Sequence, residues 1–121
     1  LAKALEKLPG ITVNYPGLES SPYKPLVDEQ FGGLGGAILT IRAGSREKAF
    51  KLINSLKYAH IATNIGDLRT LVIHPSSTIY LHSTKEEQEH AGVYEDTIRI
   101  SVGIEDVEDL IADFTQAIEN I

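Results

Sequence analysis

The sequence predicts an α+β domain, with a small, mostly antiparallel sheet and helices packed on one face of it. Three observations predict this class. Short stretches between turn signals alternate apolar and polar residues or run apolar, as in Ile98-Arg99-Ile100-Ser101-Val102 and Ala37-Ile38-Leu39-Thr40-Ile41. Two longer stretches repeat apolar residues every three or four positions, Ala49-Leu52-Ile53-Leu56 and Val107-Leu110-Ile111-Phe114-Ile118-Ile121. The chain is 42% hydrophobic and 23% charged over 121 residues, which suits one globular domain with a real core.

The elements follow in order. Leu1, Ala4, Leu5 and Leu8 share one helical face, and Pro9-Gly10 stops the run. Ile11 to Tyr15 is a strand closed by the turn Pro16-Gly17. Residues 18–30 mix Ser, Pro and charge and predict a loop with one or two helical turns from Pro25 to Gln30. Phe31-Gly32-Gly33-Leu34-Gly35-Gly36 leads into the strand Ala37 to Ile41. Ser45 caps the helix that carries Ala49, Leu52, Ile53 and Leu56, with Phe50 beside that face. Ala59 to Thr63 is extended, Asn64-Ile65-Gly66-Asp67 turns, and Thr70 to Ile73 is extended again up to His74-Pro75. Thr84-Lys85-Glu86-Glu87 is a capping box opening a short helix to about His90. Ile98, Ile100 and Val102 face one side of a half-buried strand, and Asp106 caps the last helix. The chain lacks methionine and opens inside a helical pattern with no cap before it, so a preceding portion is expected.

Charge and composition exclude several classes. Net charge is -6 and the eleven Lys and Arg are scattered, so nucleic acid and anionic membrane are repelled overall. No window approaches the ~20 apolar residues of a membrane span, and no signal-peptide pattern is present. With no cysteine there is no disulfide framework, thiolate metal site or thiol nucleophile, and a reducing cytosol fits.

Candidate chemistry is sparse. The Gly-rich segment ends in Ala37-Ile38 and opens a strand, not the Gly-Lys-Ser/Thr and helix of a phosphate loop, so it reads as a tight turn with close backbone packing. His60, His74, His82 and His90 show no metal-ligand spacing. Ser76-Ser77-Thr78 follows His74-Pro75 without the Gly-x-Ser-x-Gly frame of a nucleophile, and hydroxyls bonding to local backbone explain it. Arg99 stands mid-strand on the face opposite Ile98, Ile100 and Val102. If that face is covered, the guanidinium needs an anionic partner. Two readings are open: a structural ion pair with one of the seventeen acidic residues, or a site for a carboxylate or phosphate.

Several motifs occur together in one collinear set. They are Val13-Asn14-Tyr15-Pro16-Gly17-Leu18, Phe31-Gly32-Gly33, Asn64-Ile65-Gly66-Asp67, Thr70-Leu71-Val72-Ile73-His74-Pro75-Ser76-Ser77-Thr78 and Ile98-Arg99-Ile100-Ser101-Val102-Gly103-Ile104-Glu105-Asp106. With the helix from Val107 to Ile121, they cover nearly the whole chain and resemble the C-terminal region of the Cys/Met-metabolism pyridoxal-phosphate (PLP) enzymes. That family includes cystathionine γ-synthase, cystathionine lyases, methionine γ-lyase and the O-acetylhomoserine sulfhydrylases. Asn-x-Gly-Asp and His-Pro-Ala/Ser-Ser-Thr resemble the sulfhydrylase branch best. The synthase and lyase branches tend to carry Ser-Leu-Gly-Gly at the first of these. The sulfhydrylases often continue with Thr-His where this chain has Ile79-Tyr80, so methionine γ-lyase, cystathionine γ-synthase and O-succinylhomoserine sulfhydrylase remain alternatives.

The resemblance implies that residues 1–10 end an inter-domain helix and 11–121 form the C-terminal small domain of a fold-type I PLP enzyme, without its large PLP-binding domain. It implies a substrate-binding role for Arg99, gripping the α-carboxylate, and places Asn64 where the synthases and lyases carry a serine near that carboxylate. It implies no catalytic and no cofactor-binding residue in this chain, because the Schiff-base lysine, the pyridine-nitrogen aspartate and most phosphate ligands belong to the large domain. Lys51 and Lys57 fit a helix surface or its end. The whole enzyme would be a cytoplasmic transferase using pyridoxal 5'-phosphate as electron sink. It would act in γ-replacement on O-acetylhomoserine with sulfide or a thiol, as a homotetramer, and the chain alone would be inactive. The rival reading is a non-enzymatic module that captures a small anion at Arg99 and the Asn64 loop.

Overall fold

A computed structural model describes residues 1–121. The elements are α1 (Ala2–Leu5), β1 (Thr12–Asn14), α2 (Lys24–Phe31), β2 (Ile38–Arg42), α3 (Arg46–Ser55), β3 (His60–Ile61), β4 (Leu71–Ile73), a 3-10 turn (Pro75–Ser77), α4 (Lys85–His90), β5 (Thr97–Ser101) and α5 (Val107–Glu119). The strands form one sheet in the order β1-β2-β5-β4-β3. Its pairs are antiparallel except β3 beside β4, which is parallel. The α+β class and the mostly antiparallel sheet are as the sequence predicts.

Period-two alternation decides which face is buried. The register sets Leu39 opposite Ile100 and Ile41 opposite Ile98, and Val72 on the other side of Ile100. These side chains form one core with Leu5 of α1, Ala49, Leu52 and Ile53 of α3, and Phe114, Ala117 and Ile118 of α5. Each fully buried large aliphatic contributes ~1.5–3 kcal/mol, so the sheet face and its helices stabilise one another.

The helix starts follow their predicted caps. Ser45 accepts from Lys48 N at 3.2 Å, and Asp106 from Glu108 N at 2.9 Å. The capping box at Thr84 and Glu87 is complete in both directions. The face of α5 differs from the predicted stripe. Val107 is 47% exposed, whereas Asp113 is buried beside Phe114 and Ala117. The cause is the turn after α3, whose backbone N–H groups no ladder satisfies. Asp113 accepts from Lys57 N at 2.8 Å and Tyr58 N at 2.9 Å, tying α5 to that turn.

The Gly-rich segment is a close backbone contact, as predicted. A Cβ on Gly35 would lie 2.9 Å from Gly17 N and from the Tyr15 ring, while Tyr15 Oη donates to Gly36 O at 2.9 Å. The motifs around Tyr15 and Gly35 therefore meet in space.

The parallel β3–β4 pair positions the site. Parallel neighbours cannot be joined by a tight hairpin, so the chain must return the full length of the pair before β4 begins. Residues 62–70 make that return. They run against the far side of β5, where Arg99 and Ser101 point away from the helices.

Candidate functional site

Arg99 lies on the central strand, paired with Thr40 of β2 and Ile73 of β4. Its guanidinium crosses to the return segment, where Nη2 donates to Thr63 O at 3.1 Å and Asn64 O at 3.2 Å. No carboxylate lies within 4.0 Å of it, so the ion pair considered from sequence does not form. Nε is buried with no hydrogen-bond partner. An arginine carries five N–H donors, so the proton on Nε and the pair on Nη1 are left unused. A buried donor without a partner costs about 1–3 kcal/mol, and a cation without a counter-charge adds to that. An oxyanion reaching the outer end of this guanidinium supplies the missing counter-charge.

Asn64 is beside Arg99, but its backbone carbonyl makes the contact. Its side-chain Oδ1 accepts instead from Ile65 N at 2.9 Å. The two residues singled out from sequence are thus brought together, with the asparagine amide exposed to solvent.

The return segment is fastened along its whole length. Gly66 N donates to Ser101 Oγ at 3.1 Å, and Ile104 N to Leu68 O at 2.9 Å. Thr70 donates from N and Oγ1 to the two carboxylate oxygens of Glu105, at 2.6 and 2.8 Å, and Gly103 N donates to Thr70 Oγ1 at 3.0 Å. Burial pushes the Glu105 carboxyl up. The hydrogen bonds from Thr70 and its own backbone, with the charge of His60, outweigh this and hold it below the usual carboxylate value. Gly103 is obligatory here, because a Cβ would lie 2.5 Å from the Arg69 carbonyl carbon and collide with Leu68 O. Sequence reasoning missed Ser101 and Glu105. The signal was the glycine two residues past the strand, flanked by a hydroxyl and a carboxylate at the spacing that faces one side.

His74 is 3% exposed and is structural. Nε2 lies 2.7 Å from Glu95 O, a group that only accepts, so that nitrogen carries the proton and Nδ1 accepts from Ser77 Oγ at 2.8 Å. Thr78 Oγ1 donates to His74 O at 2.8 Å. The hydroxyl cluster therefore braces a turn. His82, His90 and His60 are exposed.

The largest cleft, about 620 Å³, lies elsewhere, around Arg42, Ser45, Arg46, Ser77, Lys85 and Tyr94. Of its cations, Arg42 bonds Asp96 at 2.9 Å and stacks on Tyr94 at 4.1 Å, Lys85 lies 3.9 Å from Glu89, and Arg46 sits over the Phe50 ring at 5.1 Å. Arg99, buried at Nε with no partner and no carboxylate beside it, is the stronger candidate on chemistry.

A Schiff-base amine must reach its neutral form, and Lys24 is poorly suited to that, because its hydrogen bond to Asp28 at 2.6 Å raises its pKa.

Comparison with known proteins shows the family. The sequence model of the family described as Cys/Met metabolism PLP-dependent enzyme matches residues 1–119. A homocysteine synthase of Schizosaccharomyces pombe is 47% identical over 98% of this chain and 28% of its own length. An L-methionine gamma-lyase of Fusobacterium nucleatum subsp. polymorphum is 42% identical over 97% of this chain and 30% of its own. Among solved structures, a Campylobacter jejuni protein described as an O-acetylhomoserine (thiol)-lyase superposes with a TM-score of 0.89 at 38% identity, covering 98% of this chain and 28% of that one. The chain thus spans under a third of these relatives' length.

Proposed function

The chain belongs to the Cys/Met metabolism PLP-dependent enzyme family, and from that premise we propose that it is the C-terminal substrate-carboxylate-binding domain of an O-acetylhomoserine sulfhydrylase. One observation carries the reading. Arg99 stands on a central strand with Nη1 free of any protein partner and no carboxylate of its own chain to match its charge. An α-amino acid substrate supplies that carboxylate. The pairing of guanidinium with carboxylate is planar and charge-assisted, and it fixes both position and orientation. Thr63 O and Asn64 O hold Nη2 from the protein side and so aim the remaining donors. Held by its carboxylate, the amino acid keeps its reacting carbons at a set place, and that restriction is how the chain lowers the barrier.

The cofactor and the groups that react through it are assigned to the rest of the enzyme, outside residues 1–121. Within them, 1–10 are read as the end of an inter-domain helix and 11–121 as the small domain. The proposed reaction of the whole protein is γ-replacement: acetate leaves O-acetylhomoserine and sulfide takes its place, giving homocysteine. The methionine γ-lyase relative supports a second reading, elimination from methionine, which uses the same carboxylate grip.

The test is sulfide-dependent homocysteine formation from O-acetylhomoserine by the full-length enzyme, with Arg99→Ala beside it. The expected result is activity in the parent and a rise in KM in the variant worth about 2–5 kcal/mol in kcat/KM, the range for breaking a desolvated charge pair. An unchanged kcat/KM would overturn the role of Arg99. Thiol release from methionine without homocysteine synthesis would select the lyase reading.

A further inference from the structure

Ser101 is 1% exposed, two residues along β5 from Arg99, and its side chain leaves the strand on the same face. Its Oγ accepts from Gly66 N, and no other group accepts from that amide. Gly66 has a φ of +71° in the turn that follows Asn64, so the direction of its N–H is set by a backbone state other residues avoid. The fastening points nearest the guanidinium are therefore two: Arg99 itself on Thr63 and Asn64, and Ser101 on Gly66. Between and beyond them, residues 63 to 69 are all exposed and have no side chain in the core.

We propose that Ser101 is a positioning residue for the substrate carboxylate. By holding Gly66 it keeps the Asn64 carbonyl on Arg99 and so sets the direction in which the guanidinium meets the substrate. The proposal rests on the reading of Arg99 given above. It does not require Ser101 to touch the substrate. Removing the hydroxyl leaves the core untouched, because the rest of the return stays fastened by Leu68 and Thr70. The turn at Asn64 then loses one of its two anchors, and the guanidinium loses its fixed partners.

The experiment uses the full-length holoenzyme and two probes that differ only in the group Arg99 holds: L-methionine, and 3-(methylthio)propylamine, which lacks the carboxylate. Dissociation constants are measured for wild type, Ser101→Ala, Ser101→Thr and Arg99→Ala, with thermal melting of each. Ser101→Ala is expected to weaken methionine about 3- to 10-fold, the scale of one hydrogen bond, and the amine less than about 2-fold. Ser101→Thr, which keeps the oxygen, restores methionine binding. Equal weakening of both probes, or an unchanged affinity for methionine, overturns the positioning role. Arg99→Ala separates the two claims. If it fails to discriminate between the probes, the carboxylate reading itself falls. If it discriminates and Ser101→Ala does not, only the role of Ser101 falls.

Discussion

Replacing Glu105 by glutamine keeps the shape of the side chain and reverses the polarity of one of its ends. In the native site both oxygens accept, Oε1 from Thr70 N at 2.6 Å and Oε2 from Thr70 Oγ1 at 2.8 Å. Thr70 Oγ1 already accepts from Gly103 N at 3.0 Å, so its own proton has one place to go, the carboxylate. A glutamine amide can accept from Thr70 N, but its NH2 then faces a hydroxyl that needs an acceptor. Thr70 is fully buried, so water cannot replace the lost partner. Losing one charge-assisted bond and orphaning one hydroxyl costs about 1–3 kcal/mol. The effect has a pH signature of known sign. The folded-state carboxyl lies below its ordinary value of 4.5, so its stabilisation is complete above that value and is lost as pH falls through the lower, folded value. Urea denaturation of wild type and Glu105→Gln at several pH values measures it. The expected gap is about 1–3 kcal/mol near neutral pH, closing as pH falls below 4.5 through the lower folded value and the native carboxylate is protonated. A gap that grows as the solution is acidified below 4.5 would refute the reasoning.

Two further perturbations test other joints. Asp113→Asn turns one of the two acceptors facing Lys57 N and Tyr58 N into a donor, and is expected to destabilise by about 2–3 kcal/mol in the same denaturation assay, as much as Asp113→Ala. Equality of Asp113→Asn with wild type would show that the turn after α3 stands without it. Gly103→Ala places a methyl 2.5 Å from the Arg69 carbonyl carbon, against backbone that cannot swing aside, and is expected to cost about 2 kcal/mol or more. It should also weaken carboxylate binding in the full-length enzyme, which a ligand titration would read.

Much of the fold was legible because its signals are local. Alternation at Ile98 to Ser101, helical spacing from Leu110 to Ile118, and the caps at Ser45, Thr84 and Asp106 each depend on a few neighbouring residues. Arg99 was legible for the same reason, a charge alternating into an apolar strand. What lay hidden is pairing at a distance. A two-residue strand such as His60–Ile61 carries no period that reveals its direction, so the parallel pair and the return it forces could not be read. With the return hidden, so was the partner of Arg99. The sequence draws the eye to the side chain of Asn64, whereas the contact uses its carbonyl, a group every residue has. Asp113 was hidden in another way. A carboxylate inside an amphipathic helix reads as a surface residue until the turn that needs its oxygens is placed against it.

The place of β5 in the sheet has a consequence for how the molecule comes into being. Its neighbours β2 and β4 are both made before it, β2 by more than fifty residues, yet they touch only through β5. During synthesis at about 5–20 residues per second, β1 with β2 and β3 with β4 emerge as two separate ribbons, each with a bare edge waiting. Such edges are open to pairing with the wrong strand until the last fifth of the chain arrives and closes both at once. The strand that carries Arg99 is therefore also the keystone of assembly, and the contact of Arg99 with Thr63 and Asn64 cannot form in any species whose sheet is still in two parts.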